Sequence, residues 1–157
     1  MRELGRAARR PARVYLTGGA TAVLSQWRES TIDIDLKIVP DDDALLRAIP
    51  ELKESLQVNV ELAAPSDFIP VREGWEERSR FVAQEGPLAF YHFDLTAQAL
   101  SKIERGHVQD LQDVREMIRR GLVQPGELRE TLAAIEPFLY RYPAVDPGSF
   151  RNALEDL

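Results

Sequence analysis

The chain has 157 residues, of which 44% are hydrophobic and 29% charged, as expected of a globular protein. It has no cysteine and only two histidines, His92 and His107, which excludes disulfide bonds and thiolate metal sites and argues against a histidine-rich zinc site. The net charge of −6 argues against a protein that coats nucleic acid. A bound metal would therefore be held mainly by oxygen atoms, which favours magnesium, calcium or manganese.

The sequence contains no candidate membrane span or secretory signal. No apolar run approaches the roughly 20 residues that cross a bilayer, and the N-terminal MRELGRAARR is not followed by an apolar stretch. We therefore expect a cytoplasmic protein with no membrane partner. Arg2, Arg6, Arg9 and Arg13 would lie along one side of a helix, if that segment is helical. A solvated helix face is the preferred interpretation, and a phosphate-binding arm is the alternative.

The first half of the chain predicts strands that alternate with helices. Residues 12–16 form a predicted short strand that ends at Thr17-Gly18-Gly19, and residues 20–27 have helical spacing. Residues 31–39 alternate between apolar side chains and Asp33, Asp35 and Lys37, which predicts a strand with one core face and one carboxylate face. A helix is expected from about residue 41 to residue 48, broken or kinked at Pro50 and resuming towards residue 56.

A second alternating strand is predicted over residues 57–62. It would place Val58, Val60 and Leu62 inward, with Asn59 and Glu61 on the opposite face. Residues 64–75, rich in proline and glycine, predict a loop, and residues 80–85 and 88–93 predict a hairpin that turns at Gly86-Pro87.

The pattern becomes helical from Asp94, which is a predicted N-cap. Gly106 interrupts the helical pattern, Gly121 ends a second helix, and a third is expected from about residue 125 to residue 140. We therefore predict an α+β fold in a single domain, residues 1–157. Its α/β core would span about residues 12–93, and its helical C-terminal half residues 94–157.

The chemically informative residues are Gly18-Gly19 and the two carboxylates of Asp33 and Asp35. Carboxylates at positions i and i+2 of a strand share one face, and side by side they require either a cation or a raised pKa. A hard divalent cation is the natural partner, and Glu61 joins the same site if its strand is the neighbour. A glycine turn before a helix can bring backbone N–H groups close to phosphate oxygens, with Thr17 and Thr21 adding hydroxyls. Taken singly, a solvated strand face and a simple turn are the more common explanations.

These motifs resemble those of the nucleotidyltransferase superfamily related to DNA polymerase beta. Its signature is Gly-Gly or Gly-Ser at a strand-to-helix turn, a short helix, and Asp-x-Asp on the next strand. The segments 16–19 and 32–36 fit this signature, with thirteen residues (20–32) between Gly19 and Asp33. Lys102-Ile-Glu-Arg105 followed by Asp110-Leu-Gln-Asp113 is similar to a helical segment of the small bacterial branch that includes AbiEii-type toxins and MNT-type proteins. The resemblance spans roughly residues 12–121 and implies a mixed sheet flanked by helices.

The resemblance implies transfer of a nucleoside monophosphate from an NTP to an acceptor, with release of pyrophosphate. Asp33, Asp35 and Glu61 would bind Mg²⁺ or Mn²⁺, and Glu61 would also act as general base. The Gly18-Gly19 turn would hold the triphosphate, Lys102 would neutralise its β- and γ-phosphates, and Asp110 would position Lys102 or complete the site.

The acceptor stays open between RNA, a protein and a small molecule, and the chain could act as a homodimer or with a cognate partner. The main alternative is a catalytically degenerate binding or regulatory module of the same fold, such as a toxin–antitoxin-type partner. A plain interaction domain without nucleotide or metal affinity ranks last.

Overall fold

The computed structural model describes residues 1–157, which form two compact units. The first unit comprises Met1–Ala64 and Ser79–Phe93, and the second comprises Pro65–Arg78 and Asp94–Leu157. The first contains the sheet, and the second is helical. None of the helices combines the length and the apolar character needed to cross a bilayer.

The sheet of the first unit has five strands in the order β3-β2-β1-β5-β4. The strands are β1 (Ala12–Thr17), β2 (Asp33–Val39), β3 (Asn59–Leu62), β4 (Arg80–Glu85) and β5 (Leu88–His92). β1 pairs antiparallel with β2 and parallel with β5, while β2–β3 is parallel and β4–β5 is antiparallel. The sheet is therefore mixed, and the predicted α+β fold with a helical C-terminal half is confirmed.

One face of the sheet forms the core of the first unit with three helices, α1 (Arg2–Ala7), α2 (Gly18–Leu24) and α3 (Asp43–Leu56). Each helix contributes buried apolar side chains to this core, including Leu4, Ala20 and Leu45. The alternation of β2 places Leu36 and Ile38 in the same core, so its carboxylates lie on the other face.

The condition for a continuous arginine face is not met. α1 ends at Ala7 because Ala8 is already extended, so Arg9 and Arg13 do not continue the helix. The predicted inward position of Leu62 was wrong, since β3 is a short edge strand and this residue is 55% exposed.

The helix was predicted to be broken or kinked at Pro50. It is not broken, because α3 runs as one helix from Asp43 to Leu56, and a kink at Pro50 stays a prediction. Asp42 caps its N-terminus by accepting hydrogen bonds from the backbone N–H groups of Ala44 and Leu45. Leu45 and Ile49, both before the proline, are buried, and Leu52, after it, packs against the same core. Packing on both sides of Pro50 outweighs the lost backbone hydrogen bond.

The second unit consists of short helical segments and four longer helices. They are a 3₁₀ turn (Pro65–Asp67), α4 (Trp75–Arg78), α5 (Leu95–Arg105), α6 (Val108–Arg119), α7 (Pro125–Ile135), a 3₁₀ helix (Glu136–Arg141) and α8 (Pro147–Glu155). α5 packs against α6, α7 and α8, so it is the centre of this unit. Asp94 caps α5 as predicted, and Gly106 ends α5 in a left-handed conformation with φ +70°.

The predicted third helix, residues 125–140, is two elements rather than one. Its α-helical part ends at Ile135, and the chain continues as a 3₁₀ helix through Pro137. Proline lacks the N–H that an α-helix would use at this point, which accounts for the change of helix type. α8 had not been predicted.

Candidate functional site

The pairing of β2 with β3 brings four polar side chains to one face of the first unit. In this parallel register, Asp33 lies opposite Asn59 and Asp35 lies opposite Glu61. Residues at i and i+2 share a face, so these four side chains form one group on adjacent strands. The conditional expectation that the strand of Glu61 adjoins the strand of the two aspartates is thereby met.

Asn59 links two of the carboxylates. Its Nδ2 donates to Asp33 Oδ1 at 3.2 Å and to Glu61 Oε1 at 2.9 Å. An uncharged amide donor between two carboxylates reduces their repulsion and orients both side chains. The sequence predicts the face on which Asn59 lies but not its role. Its position two residues before Glu61 on the same strand was the feature that could have indicated a contact between them.

The Gly18-Gly19 turn lies directly against this group. Gly18 has φ +59°, and a Cβ atom there would lie 2.7 Å from Asp35 Oδ2. A Cβ atom on Gly19 would lie 2.4 Å from Thr31 Oγ1. Thr31 is itself joined to the strand, since its hydroxyl donates to the Asp33 carbonyl and accepts from the Asp33 N–H. Both glycines are therefore required by the close approach of the turn to β2.

The two threonines of the predicted site have different surroundings. Thr17 ends β1 opposite Asp35 and is buried. Thr21 is also buried, and its hydroxyl donates to the Leu16 carbonyl and lies 3.1 Å from His92 Nδ1. Because the Thr21 proton is used at Leu16, the hydroxyl oxygen accepts from the Nδ1–H of His92. Thr21 thus connects α2, β1 and β5, and its contact with a nucleotide stays a prediction.

His92 lies on the core side of the same region. Burial, with a smaller contribution from the positive charge of Arg80, lowers the pKa of His92 below 6.5. The neutral ring is therefore favoured near neutral pH, consistent with an Nδ1–H donor to Thr21.

The carboxylate group suits a hard divalent cation by the chemistry of its donors. Asp33, Asp35 and Glu61 offer only oxygen atoms, and Asp33 and Glu61 are exposed to solvent. No three His, Cys, Asp or Glu side chains converge into a metal-ligand set in this structure. The amide of Asn59 is instead hydrogen-bonded to two of the three carboxylates.

Lys102 and Asp110 belong to the second unit and form an ion cluster there. The buried Lys102 Nζ donates to Asp110 Oδ1 at 2.9 Å and to Asp113 Oδ2 at 2.8 Å. Arg105 binds Asp110 through two further hydrogen bonds of 2.6 and 2.7 Å. Burial alone would raise the pKa of Asp110, but the hydrogen bonds and charges of Arg105 and Lys102 outweigh it and lower that pKa below 3.8.

The cluster joins α5 to α6. Its hydrogen bonds explain why two basic residues on α5 are followed by two acidic residues on α6, since all four side chains meet in one group. Lys102 uses its ammonium group for two buried carboxylates, and its contact with phosphate stays a prediction.

Comparison with protein families gives a match over most of the chain. The model of a family described as "Nucleotidyltransferase of unknown function (DUF6036)" matches residues 1–142. No curated protein and no solved structure matches the chain. The matched range includes the glycine turn, the carboxylate strands and the ion cluster of the second unit.

Proposed function

Because the chain belongs to this family of nucleotidyltransferases, we propose that it transfers a nucleoside monophosphate from an NTP to an acceptor hydroxyl with the help of a divalent metal. One observation carries the proposal: the Gly18-Gly19 turn lies against Asp35, on the face that also presents Asp33 and Glu61. A site for a metal-bound triphosphate needs both a backbone turn for phosphate and adjacent carboxylates.

Asp33, Asp35 and Glu61 would hold Mg²⁺ or Mn²⁺. A cation held there would supply positive charge that offsets the negative charge developing on the phosphates during phosphoryl transfer. The three side chains supply the oxygen donors that these cations prefer.

The remaining roles belong to the chain's own groups. Backbone N–H groups of the Gly18-Gly19 turn would bind the phosphate oxygens of the NTP. Glu61 would take the proton of the acceptor hydroxyl as that oxygen attacks the α-phosphorus and pyrophosphate leaves. Asn59 would orient the Glu61 carboxylate through its 2.9 Å hydrogen bond.

We also place the chain in the AbiEii/MNT-type branch as a proposal, with RNA or a partner protein as acceptor. Support comes from the second unit, where the residues of the branch-like segment, Lys102, Arg105, Asp110 and Asp113, form a single cluster. A cytoplasmic location and a toxin–antitoxin setting belong to this same proposal.

The test is thermal unfolding with each NTP, in EDTA and with Mg²⁺ or Mn²⁺. It compares wild type, Asp33→Ala/Asp35→Ala and a control, Glu51→Ala/Glu54→Ala, which removes two exposed carboxylates from α3. A ligand at about 100 times its Kd adds roughly 2.7 kcal/mol, which for a chain of this size raises Tm by about 5–10 °C.

We expect a metal-dependent rise in Tm in wild type and in the control, and none in Asp33→Ala/Asp35→Ala. Pyrophosphate release in the presence of RNA or protein acceptors would then identify the acceptor. If no NTP changes Tm with either metal, the enzyme proposal is wrong and the degenerate binding module takes its place.

A further inference from the structure

The second unit contains a cavity of about 780 Å³ that has no part in the carboxylate site. One wall is the segment from Ser66 to Trp75, and the other runs from Ala134 to Tyr142 at the end of α7 and in the following 3₁₀ helix. The cavity lies within the size range of small-molecule sites in proteins.

Specific hydrogen bonds hold the first wall in place. Arg78 donates to the backbone carbonyls of Arg72 and Glu73 at 3.0 and 2.8 Å. The same guanidinium forms an ion pair of 2.8 Å with Asp94, which is buried and caps α5. Tyr142 joins the two walls, since its hydroxyl donates to the Ser66 carbonyl at 2.7 Å. The cavity is therefore pre-formed rather than a gap in a loose loop.

Aromatic rings and guanidinium groups line this cavity together. Trp75, Phe138 and Tyr142 supply the rings, and the Phe138 side chain is 45% exposed. The Arg141 guanidinium lies 5.3 Å from the centre of the Phe138 ring, at cation–π distance. An exposed ring that supports an arginine presents a flat surface and a positive charge side by side.

The charge of the cavity is opposite to that of the chain. Arg72 and Arg141 line it and form no ion pair with a carboxylate in this structure, and Glu73 is the one acidic residue of the lining. The whole chain, by contrast, has a net charge of −6. Two guanidinium groups without acidic partners on the lining of one cavity provide a binding surface for a ligand with negative charge.

We propose that this cavity binds a nucleotide unit, with its base against Phe138 and Trp75 and its phosphate on Arg72 and Arg141. Bases stack on aromatic side chains, and guanidinium groups bind phosphate through paired hydrogen bonds. An apolar ligand would leave both guanidinium groups without an anionic partner, although Arg141 donates to the Tyr140 hydroxyl at 3.1 Å. Inorganic phosphate would leave the rings uncovered. This proposal rests on the proposed function. It means that the acceptor carries a nucleotide unit and is either a free mononucleotide or the end of an RNA strand.

The experiment measures binding in EDTA, so that a metal-dependent triphosphate site does not contribute. The probes are the four 5′-mononucleotides, a short single-stranded oligoribonucleotide, the matching nucleosides and ribose 5-phosphate, all titrated by calorimetry. Fluorescence of Trp75 is followed in a Trp27→Phe background, since Trp27 is the one other tryptophan. We expect nucleotides to quench Trp75 and to bind at least tenfold more tightly than nucleosides or ribose 5-phosphate.

Two substitutions test the assignment of residues. Phe138→Ala and Arg141→Ala should each weaken nucleotide binding by roughly tenfold or more, because one removes a stacking surface and the other a charged donor. Arg141→Lys should recover part of the loss. Arg115→Ala, an exposed arginine of α6 outside the cavity, is the matched control and should leave binding unchanged.

The outcomes separate this proposal from the proposed function. Asp33→Ala/Asp35→Ala should still bind mononucleotides in EDTA. The cavity proposal is overturned if no nucleotide binds, if Phe138→Ala and Arg141→Ala leave binding intact, or if only an acidic peptide binds there. In each of those cases a metal-dependent NTP shift at Asp33 and Asp35 would leave the proposed function standing. Tighter binding of the oligoribonucleotide than of any mononucleotide would identify RNA as the source of the nucleotide unit.

Discussion

Gly18 shows how one residue serves both the backbone and the candidate site. Its φ of +59° costs an L-residue about 1–2 kcal/mol, and an added Cβ atom would meet Asp35 Oδ2 at 2.7 Å. Gly121 has a similar φ of +68° but nothing within 4 Å of an added Cβ. A side chain at Gly121 would meet only the conformational cost of a positive φ, whereas a side chain at Gly18 would also crowd Asp35.

We expect Gly18→Ala to lower the free energy of unfolding more than Gly121→Ala, as measured by urea denaturation. Gly18→Ala should also reduce the metal-dependent NTP shift, because its methyl group displaces the Asp35 carboxylate. Equal losses of stability for the two variants would show that the turn tolerates a side chain beside Asp35.

Asn59 provides a second test at the residue scale. Asn59→Asp places a third carboxylate beside Asp33 and Glu61, and like charges directly opposite on adjacent strands destabilise the folded state. We expect lower stability than wild type in EDTA and recovery of that loss on addition of Mg²⁺ or Mn²⁺. Gln112→Glu adds the same charge on an exposed position of α6, so its stability should not respond to the metal in this way. A loss in Asn59→Asp that no divalent cation reverses would argue against a cation at this group.

At the scale of single elements, α3 is held in one piece by packing despite an unfavourable residue. Pro50 lies inside this helix and is exposed, so it costs a backbone hydrogen bond without filling the core. Pro50→Ala should raise the free energy of unfolding by about 1–3 kcal/mol. Part of this gain is offset, because alanine leaves the unfolded chain more conformational entropy than proline does. Pro125→Ala, at the first turn of α7 where proline is well tolerated, should give no such gain. A lower Tm for Pro50→Ala would mean that the proline supports the packing of α3.

The ion cluster between α5 and α6 is the second feature at this scale. Lys102→Met leaves Asp110 and Asp113 buried without their shared cation, and breaking a buried pair costs about 3–5 kcal/mol. Arg119→Met breaks an exposed pair with Glu116 and should change stability little.

Combining Lys102→Met with Asp113→Asn should restore part of the lost stability, because fewer buried charges are left unpaired. This restored variant also tests the predicted phosphate contact of Lys102. If it binds NTP and metal as wild type does, Lys102 acts only within the fold.

For the whole molecule, the acid response should combine two groups in different units. The folded-state pKa of His92 is lowered, so the unfolded chain takes up that proton first and stability falls as the pH drops through about 6.5. The folded-state pKa of Asp110 is also lowered, so its stabilising contribution is present above about pH 3.8 and is lost as the pH falls further.

We expect urea denaturation between pH 7.5 and 5 to show a decline in stability that His92→Gln reduces and that His107→Gln, an exposed control, leaves unchanged. The loss of stability below pH 4 should be smaller in Asp110→Asn than in wild type. That variant is also less stable than wild type at neutral pH. A wild type with constant stability from pH 7.5 to 5 would contradict the role given to His92.

Much of the fold could be predicted because its signals are local. The alternation of residues 31–39 and 57–62 predicted β2 and β3 and the face that carries the carboxylates. Gly86-Pro87 predicted the β4–β5 hairpin, and Asp94 predicted the start of α5. The continuity of α3 through Pro50 and the exposure of Leu62 could not be predicted, since both depend on what packs against the element rather than on its own pattern.

The sequence by itself determined the element types, the strand faces and the residues available for chemistry, because side-chain periodicity and turn residues act over a few positions. Only the tertiary structure decided that Asp35 lies opposite Glu61, that Gly18 meets Asp35, and that Asn59 joins Asp33 to Glu61. It also decided that Lys102 pairs with two buried aspartates and that Arg141 lines an aromatic cavity. These contacts depend on register and packing between separate elements, and no local pattern specifies them.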